Sequence, residues 1–532
     1  MKFEITAISA GKQRRTISAD SETSLLGALR SAGVYLPAPC GGRGSCGKCA
    51  VRVSAGAPEA GEADRAFFSP QQLDSGWRLA CATFPAGSVT VEIPETGEDL
   101  FASINTFMLN GDGETPPEEA AEAPLHPPVQ AIPGTGYTVA VDIGTTTLGF
   151  VLLDMRNAKI AGHYSAVNRQ REYGGDVVSR IEQANSGGLS LLSKCIRGQI
   201  EEGISALCDQ AGLAFRDIHQ IALVGNTVML HLLLGLSCQG LGKAPFTPVT
   251  LDMACMDYRE IFERDLSCQV IILPGIASYV GADITAGIFF TEMHRRGKAA
   301  VLLDIGTNGE MALAWQGAML CTATAAGPAF EGATILWGTG SVPGAISRVQ
   351  FRNGGFEPET IAARPPVGIC GSGVVDIVYQ GLKQGSILPS GRFSETVAEE
   401  GIVLAKAPDG RDIVFCQKDV RELQLAKSAI RSGLDALLNH AGIGYDDIQC
   451  LYIAGGFGFS LNMESAAGIG LIPKALLPKV SFVGNSALGG AVKYLLRNDG
   501  KEALCEIIKQ SKEFSLTSDR YFARHFIENI NL

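Results

Sequence analysis

A chain of 532 residues exceeds what one hydrophobic core organises, because domains cluster at roughly 100–200 residues, so three or more folding units are expected. Hydrophobic residues at 46% and charged residues at 19% supply enough apolar material for packed cores and exclude a disordered chain. The net charge of −11 argues against nucleic acid as a partner, and no apolar run reaches the roughly 18 residues of a spanning helix, so a cytoplasmic protein without a membrane partner is expected.

The opening MKFEITAISAGKQRRTIS alternates like a strand and lacks the apolar core of a signal peptide. Strands are expected over Lys2–Ala10 and Arg14–Ala19, then a helix near Ser24–Ala32 with Leu25, Leu26 and Leu29 on one face and Gly33 at its end. A cysteine loop follows, then a strand at Ala50–Ser54, a polar stretch, and a last alternating strand at Val89–Ile93. Without an export signal the cysteines are expected as thiols or metal ligands. Ten of them, from Cys195 to Cys505, are scattered without a close pair and read as small buried hydrophobes.

The other four have the spacing C-x5-C-x2-C, Cys40, Cys46 and Cys49, followed after 31 intervening residues by Cys81. Thiolates suit both zinc and iron–sulfur clusters. A zinc ribbon pairs one C-x2-C with a second, which is absent, whereas three grouped thiolates and a distant fourth make the plant-type ferredoxin arrangement. Gly41, Gly42, Gly44 and Gly47 let the backbone wrap closely and turn N–H groups toward cluster sulfurs. In its five-residue first gap the loop resembles adrenodoxin-type [2Fe–2S] ferredoxins. That resemblance implies a β-grasp fold over residues 1–98 and one-electron transfer.

From Asn110 to Thr135 the chain is rich in Pro, Gly, Ala and Glu, the composition of a linker, placed at 99–136. Beyond it strands and helices alternate as in an α/β fold. Tyr137–Asp154 and Ala300–Trp315 both read as apolar strand, Asp-Ile-Gly-Thr turn, second strand, so two similar lobes are expected, at 137–298 and 299–532. Such a turn is built for phosphate: glycine exposes N–H groups, Thr hydroxyls add donors, and an Asp at the strand end holds Mg²⁺ through water. Asp142, Gly144, Thr145, Thr146 and Thr147 supply these groups in the first lobe, and Asp304, Gly306, Thr307, Asn308 and Gly309 in the second. A third apolar strand, LYIAGGFGFS, runs into Gly455 and Gly456, where side chains would block a flat base.

Together the three segments resemble the phosphate-1, phosphate-2 and adenosine segments of the acetate kinase, sugar kinase, heat-shock chaperone and actin superfamily, over roughly 137–495. Further stretches narrow the resemblance: VGNTVMLHLLLGL from Val224, PGIASYVGAD from Pro274, AAGPAFEGA from Ala325 and ICGSGVVD from Ile369, which adds Gly371, Ser372 and Gly373 to the ATP candidates. With a [2Fe–2S] domain in front, the whole is similar to the reductive activators of corrinoid proteins. The resemblance implies two actin-like, ribonuclease-H-like α/β lobes, ATP with Mg as cofactor, and an ATPase coupled to transfer of one electron from the cluster to Co(II), giving Co(I). The implied partners are a corrinoid protein of a methyltransferase system and an upstream electron donor; a homodimer stays open. Glu310 and Glu331 are candidates for orienting the attacking water, Thr322 and Thr324 for lying near the corrinoid, and His163 and His231 read as structural. Competing readings are an ATP-driven donor to another low-potential enzyme, an actin-fold redox-sensing ATPase and a small-molecule kinase.

Overall fold

The computed structural model describes residues 2–8, 14–32, 34, 36, 38, 42, 44, 47–94, 136–456 and 461–532. Cys40, Cys46, Gly33, Gly41, residues 457–460 and almost all of the linker read at 99–136 lie outside the described residues.

The N-terminal unit is a five-stranded mixed sheet made of β1 (Lys2–Ile8), β2 (Arg14–Asp20), β3 (Ala50–Ala55), β4 (Trp77–Leu79) and β5 (Val89–Glu92), in the order β2-β1-β5-β3-β4. A central parallel β1–β5 pair with antiparallel flanks and one packed helix is the β-grasp arrangement. That helix, Leu25–Ser31, starts at Ser24, whose hydroxyl accepts the Gly27 N–H, an N-cap that satisfies one of the orphan donors of the first turn. Leu25, Leu26 and Leu29 face the sheet and are buried. The stretch between β3 and β5, expected to be merely polar, instead carries two short helices, Glu62–Arg65 and Pro70–Asp74, and β4. Three residues are too few for a period-2 signal, and the middle one is Arg78, buried because its guanidinium donates to the carbonyls of Pro58 and Leu73.

The remainder is built on two six-stranded sheets. The first comprises β6 (Tyr137–Ile143), β7 (Thr147–Asp154), β8 (Lys159–Val167), β9 (Ile218–Gly225), β10 (Ala254–Asp257) and β11 (Gln269–Ile272), ordered β10-β11-β9-β6-β7-β8. The second comprises β12 (Ala299–Ile305), β13 (Gly309–Trp315), β14 (Ala318–Thr324), β20 (Ile448–Ala454), β21 (Val480–Gly484) and β22 (Ser511–Glu513), ordered β21-β20-β12-β13-β14-β22. In each, three antiparallel strands continue into two parallel ones, the ribonuclease-H-like pattern expected of actin-like lobes. Five smaller strands, β15 (Ala345–Arg352), β16 (Gly355–Thr360), β17 (Gly368–Ile369), β18 (Ile402–Lys406) and β19 (Asp412–Phe415), form two accessory sheets beside the second lobe. No helix among the described residues is long and apolar enough to cross a membrane.

Although β12 begins at Ala299, the packing does not divide there. Ala300, Leu302, Tyr452 and Leu488 belong to the same core as Val141, Ile284 and Ile288. The junction is the crossing of two helices, Ala282–Thr291 and Ser486–Leu496, whose contact faces are made of small residues. A Cβ on Gly490 would lie 2.2 Å from the Ala286 carbonyl oxygen, and one on Gly287 would meet Ser486 Oγ at 2.8 Å. Both distances are below van der Waals contact, so only glycine permits this approach. Of the ten scattered cysteines, Cys208, Cys238, Cys268, Cys321 and Cys370 are buried as expected, whereas Cys255 and Cys505 are exposed. Gly490→Ala should lower the unfolding free energy by roughly 1–3 kcal/mol, the usual cost of overpacking, measured by denaturant unfolding of the intact chain; an unchanged midpoint would mean that the crossing is slack.

Candidate functional site

The two strand–turn–strand motifs face each other across a cleft of about 820 Å³. At its floor stand Asp142, Asp283, Asp304 and Glu310, with Glu331 at one side. Asp142 and Asp304 sit at equivalent positions near the ends of β6 and β12. The turn after Asp142 needs glycine for a steric reason, because a Cβ on Gly144 would lie 2.7 Å from the Thr147 carbonyl oxygen, whereas one on Gly306 would meet nothing closer than 3.9 Å. Gly455 has φ +92°, and a Cβ there would come within 2.8 Å of Asp304 Oδ1, so the third segment passes Asp304 only as glycine.

Cross-strand register makes the two halves unequal. Glu310 is directly opposite Asp304, while Gly149 is opposite Asp142. Like charges paired across strands repel. Burial, then Asp283 and Asp142, push the Asp304 carboxyl up to about 8, and burial, then Asp283 and Asp304, push Glu310 well above the carboxylate range. On the other side the space left by Gly149 admits Asn485, whose Nδ2 donates to Asp142 Oδ2 at 2.8 Å. Burial still raises Asp142 to about 7 against that hydrogen bond. Asp283 is raised by burial to about 6, opposed by backbone N–H groups including that of Ile284.

Glu331 joins the two turns. Its Oε2 accepts from Thr146 Oγ1 of the first lobe at 2.7 Å and from Thr307 Oγ1 of the second at 2.6 Å. Two hydroxyls from opposite lobes thus converge on one anionic oxygen, the kind of acceptor a phosphate also presents. Asn226 Nδ2 donates to Thr145 Oγ1 at 3.0 Å, and the buried Arg180 guanidinium donates to the Thr145 carbonyl at 2.5 Å and the Gly174 carbonyl at 2.9 Å. Burial presses Arg180 down to about 9.

Of the sequence candidates, Asp142, Gly144, Thr145, Thr146, Thr147, Asp304, Gly306, Thr307, Asn308, Glu310, Gly455 and Gly456 line this cleft. Gly309, Gly371, Ser372 and Gly373 are not among its lining residues. A Cβ on Gly309 would strike Ile430 at 2.9 Å, so that glycine serves packing. Gly371–Gly373 open the buried helix Gly371–Gln384, directly after β17, whose Ile369 exchanges backbone hydrogen bonds with Trp337 and Thr339 of the cleft wall. Thr322 is buried with its hydroxyl on the Phe514 carbonyl, and Thr324 is buried at the end of β14. His231 is held between the Thr227 carbonyl and the Val249 N–H, a structural role, and His163 is exposed.

Sequence reasoning did not single out Asp283, Asn226, Asn485 or Arg180. A signal existed for the two asparagines: Val224-Gly225-Asn226-Thr227 and Val483-Gly484-Asn485-Ser486 repeat one pattern at the ends of β9 and β21. Each Asn caps the following helix, accepting from Met229 N and Leu488 N, and each turns its amide toward one of the first lobe's turn residues.

In the N-terminal unit Cys49 and Cys81 are described, and both are buried. The Ala80 N–H donates to the Cys49 carbonyl at 2.9 Å, which holds the two segments side by side. Gly42, Gly44 and Gly47 have φ of +89°, +72° and +71°, and a Cβ on Gly47 would strike Phe67 at 2.6 Å. These three glycines adopt backbone that other residues rarely reach, and a Cβ on Gly42 would lie 3.8 Å from that of Cys81, a close approach beside a thiol that fits a thiolate-held cluster.

Three family models match the chain in succession: a 2Fe-2S iron-sulfur cluster binding domain over residues 8–86, the RACo middle region over 137–296, and the C-terminal domain of RACo, the ASKHA domain, over 298–532. The corrinoid activation enzyme RamQ of Eubacterium limosum is 29% identical over 581 residues, covering 96% of this chain and 97% of that protein. The [Co(II) methylated amine-specific corrinoid protein] reductase of Methanosarcina barkeri is 27% identical over 411 residues, covering 70% of this chain and 72% of its own. A solved reductive activator for corrinoid, iron-sulfur protein superposes with a TM-score of 0.70 at 28% identity, covering 100% of this chain and 98% of that one.

The raised carboxyls give a pH dependence with a definite sign. Asp304 has a folded value of about 8 against 3.8 for the free group, so its contribution to stability is full below about pH 4 and is lost as pH rises through 8. Asp304→Asn should flatten that loss and raise the melting temperature at pH 8, by roughly 1 °C for each kcal/mol of repulsion removed from a unit of this size. A divalent cation should stabilise the native chain more at pH 8 than at pH 5.5 and stabilise Asp304→Asn little at either, read by thermal melts.

Proposed function

Because the chain belongs to the family of reductive activators of corrinoid proteins, we propose that it performs ATP-dependent reductive activation of a corrinoid protein, taking cobalt from Co(II) to Co(I). The observation that carries this reading is the succession on one chain of a [2Fe–2S] domain and a two-lobed cleft with an aspartate at the equivalent end of each lobe's leading strand. Cys40, Cys46, Cys49 and Cys81 are the proposed cluster ligands, and the cluster supplies single electrons at a potential near −400 mV if it behaves as plant-type centres do.

In the cleft, Asp142, Asp283, Asp304 and Glu310 are the proposed holders of Mg²⁺, through water, as hard oxygen ligands on a hard cation. Thr145, Thr146, Thr147, Thr307 and Asn308 would present hydroxyl and amide groups to the phosphates, and Gly455 and Gly456 would leave room for the base. Glu331 already draws Thr146 and Thr307 together, so a terminal phosphate would compete with it for the same two hydroxyls. That competition gives nucleotide a differential affinity for lobe arrangements, which is the only way a ligand can move an equilibrium. The partner is proposed to be the corrinoid protein of a methyltransferase system, with an upstream donor refilling the cluster and a cytoplasmic location.

Anaerobically prepared protein should contain two irons and two sulfides per chain, and Cys49→Ser should abolish the visible absorption; four irons would refute the cluster assignment. Asp142→Ala or Asp304→Ala should cut Mg²⁺-dependent ATP hydrolysis roughly 10–100-fold, the usual scale for losing a metal-site group, with the cluster spectrum retained. Reduced protein plus ATP should deplete a corrinoid partner's Co(II) signal and build Co(I) absorption, slowly or incompletely without ATP. Phosphate transfer to a metabolite, or reduction of another enzyme with no corrinoid response, would overturn the reading.

A further inference from the structure

The cleft is not lined by the two lobes alone. Lys48, Phe67, Phe68, Gln71 and Gln72 of the iron–sulfur domain line it as well, and three contacts hold them there. Lys48 Nζ donates to the carbonyls of Ile335 at 2.7 Å, Gly338 at 2.7 Å and Leu336 at 3.3 Å, which uses all three ammonium donors on second-lobe backbone. Behind those carbonyls the buried Asp419 carboxylate accepts the Leu336 N–H at 2.7 Å, so the receptor for the ammonium is anionic as well as shaped. Second, the Arg411 guanidinium of the second lobe lies between two indoles, 4.1 Å from the Trp77 ring of the iron–sulfur domain and 4.8 Å from the Trp337 ring of its own lobe. Both distances are within cation–π range.

The third contact is on the other lobe. Arg30 approaches Glu172 at 3.7 Å and stands 5.9 Å from the Tyr173 ring. Its Nε and Nη2 make no hydrogen bond although buried, so this side is held more loosely than the Lys48 side. One domain thus touches both lobes across the cleft, and a rotation that opens the lobes strains or breaks one of these contacts. The Lys48 receptor is also part of the cleft wall. Gly338, Thr339 and Gly340 line the cleft, and the loop is pinned by the Thr339 N–H on the Ile369 carbonyl at 2.9 Å.

We propose that the iron–sulfur domain is a lid on the nucleotide cleft: docked through Lys48, Trp77 and Arg30 it ties the lobes together and retains the ligand, and its undocking releases ligand and cluster domain in one event. This rests on the nucleotide reading of the cleft. Coupling of this kind is reciprocal, so bound nucleotide favours docking as docking favours bound nucleotide. Lys48 is followed directly by Cys49, so the contact that senses the cleft wall is adjacent in the chain to a proposed cluster ligand.

The test uses the full chain with its cluster, Lys48→Glu and Arg30→Glu variants, and a fluorescent methylanthraniloyl-ADP chased with unlabelled ADP. Arg30 does not line the cleft, so an effect there acts through the domain, and visible absorption of each variant reports that the iron–sulfur domain is folded. Both variants should release the probe roughly tenfold or more faster than wild type, the scale for reversing one partner of a buried charge contact, and both should show a larger radius of gyration in solution scattering. An enlarged radius with an unchanged release rate overturns the lid. An unchanged radius in both overturns the docking contacts. Wild-type chain that binds no probe at all overturns the nucleotide reading beneath it.

Discussion

Four carboxylates, Asp142, Asp283, Asp304 and Glu310, meet at the floor of one cleft, and their mutual repulsion in a desolvated place is the constraint to which the surrounding structure answers. Left alone, such a group would take up protons or drive the lobes apart. Several fixed dipoles offset it in part: the Asn485 amide on Asp142, the Ile284 N–H on Asp283 and the Asn308 amide on Glu310. None is a cation, so the raised carboxyls of Asp142, Asp283 and Asp304 remain. Those raised carboxyls are what the proposed Mg²⁺ would relieve, since a bound cation inverts the local pKa balance.

Holding the carboxylates there requires a close joint between the halves. The crossing of Ala282–Thr291 with Ser486–Leu496 provides it, because Gly287 and Gly490 let two helix backbones approach without side chains between them. Both helices begin at the cleft, one with Asp283 in its first turn and the other with Asn485 at its cap. The joint therefore positions a carboxylate and the amide that offsets its neighbour in one stroke. Glu331 adds a second tie, taking hydroxyls from both turns on one oxygen.

The lobes are related but not equivalent. Where the second lobe sets Glu310 opposite Asp304, the first has Gly149 opposite Asp142. The glycine opens space for Asn485, and the glutamate adds a further negative charge. The result is a cleft in which one aspartate is hydrogen-bonded by a neutral amide and the other is crowded by carboxylates. The iron–sulfur domain meets this cleft through Lys48, a cation on the second lobe's carbonyls.

Much of this was legible in one dimension. Local chemistry read from the residues alone identified the grouped cysteines, the helix beginning after Ser24, and the paired Asp-Ile-Gly-Thr turns, because ligand spacing, capping and strand–turn geometry depend on residues close in the chain. The repeat of those turns also implied two lobes of like topology. What sequence could not supply was distance between segments far apart. Asp283 and Asn485 become cleft residues only because folding brings distant segments together, Asn485 reaching Asp142 across 343 positions. Gly371, Ser372 and Gly373, ATP candidates through the resemblance, are buried at the start of their helix and are not among the residues lining the cleft. The composition of a motif sets what it is able to bind, and packing decides which motifs face the same space.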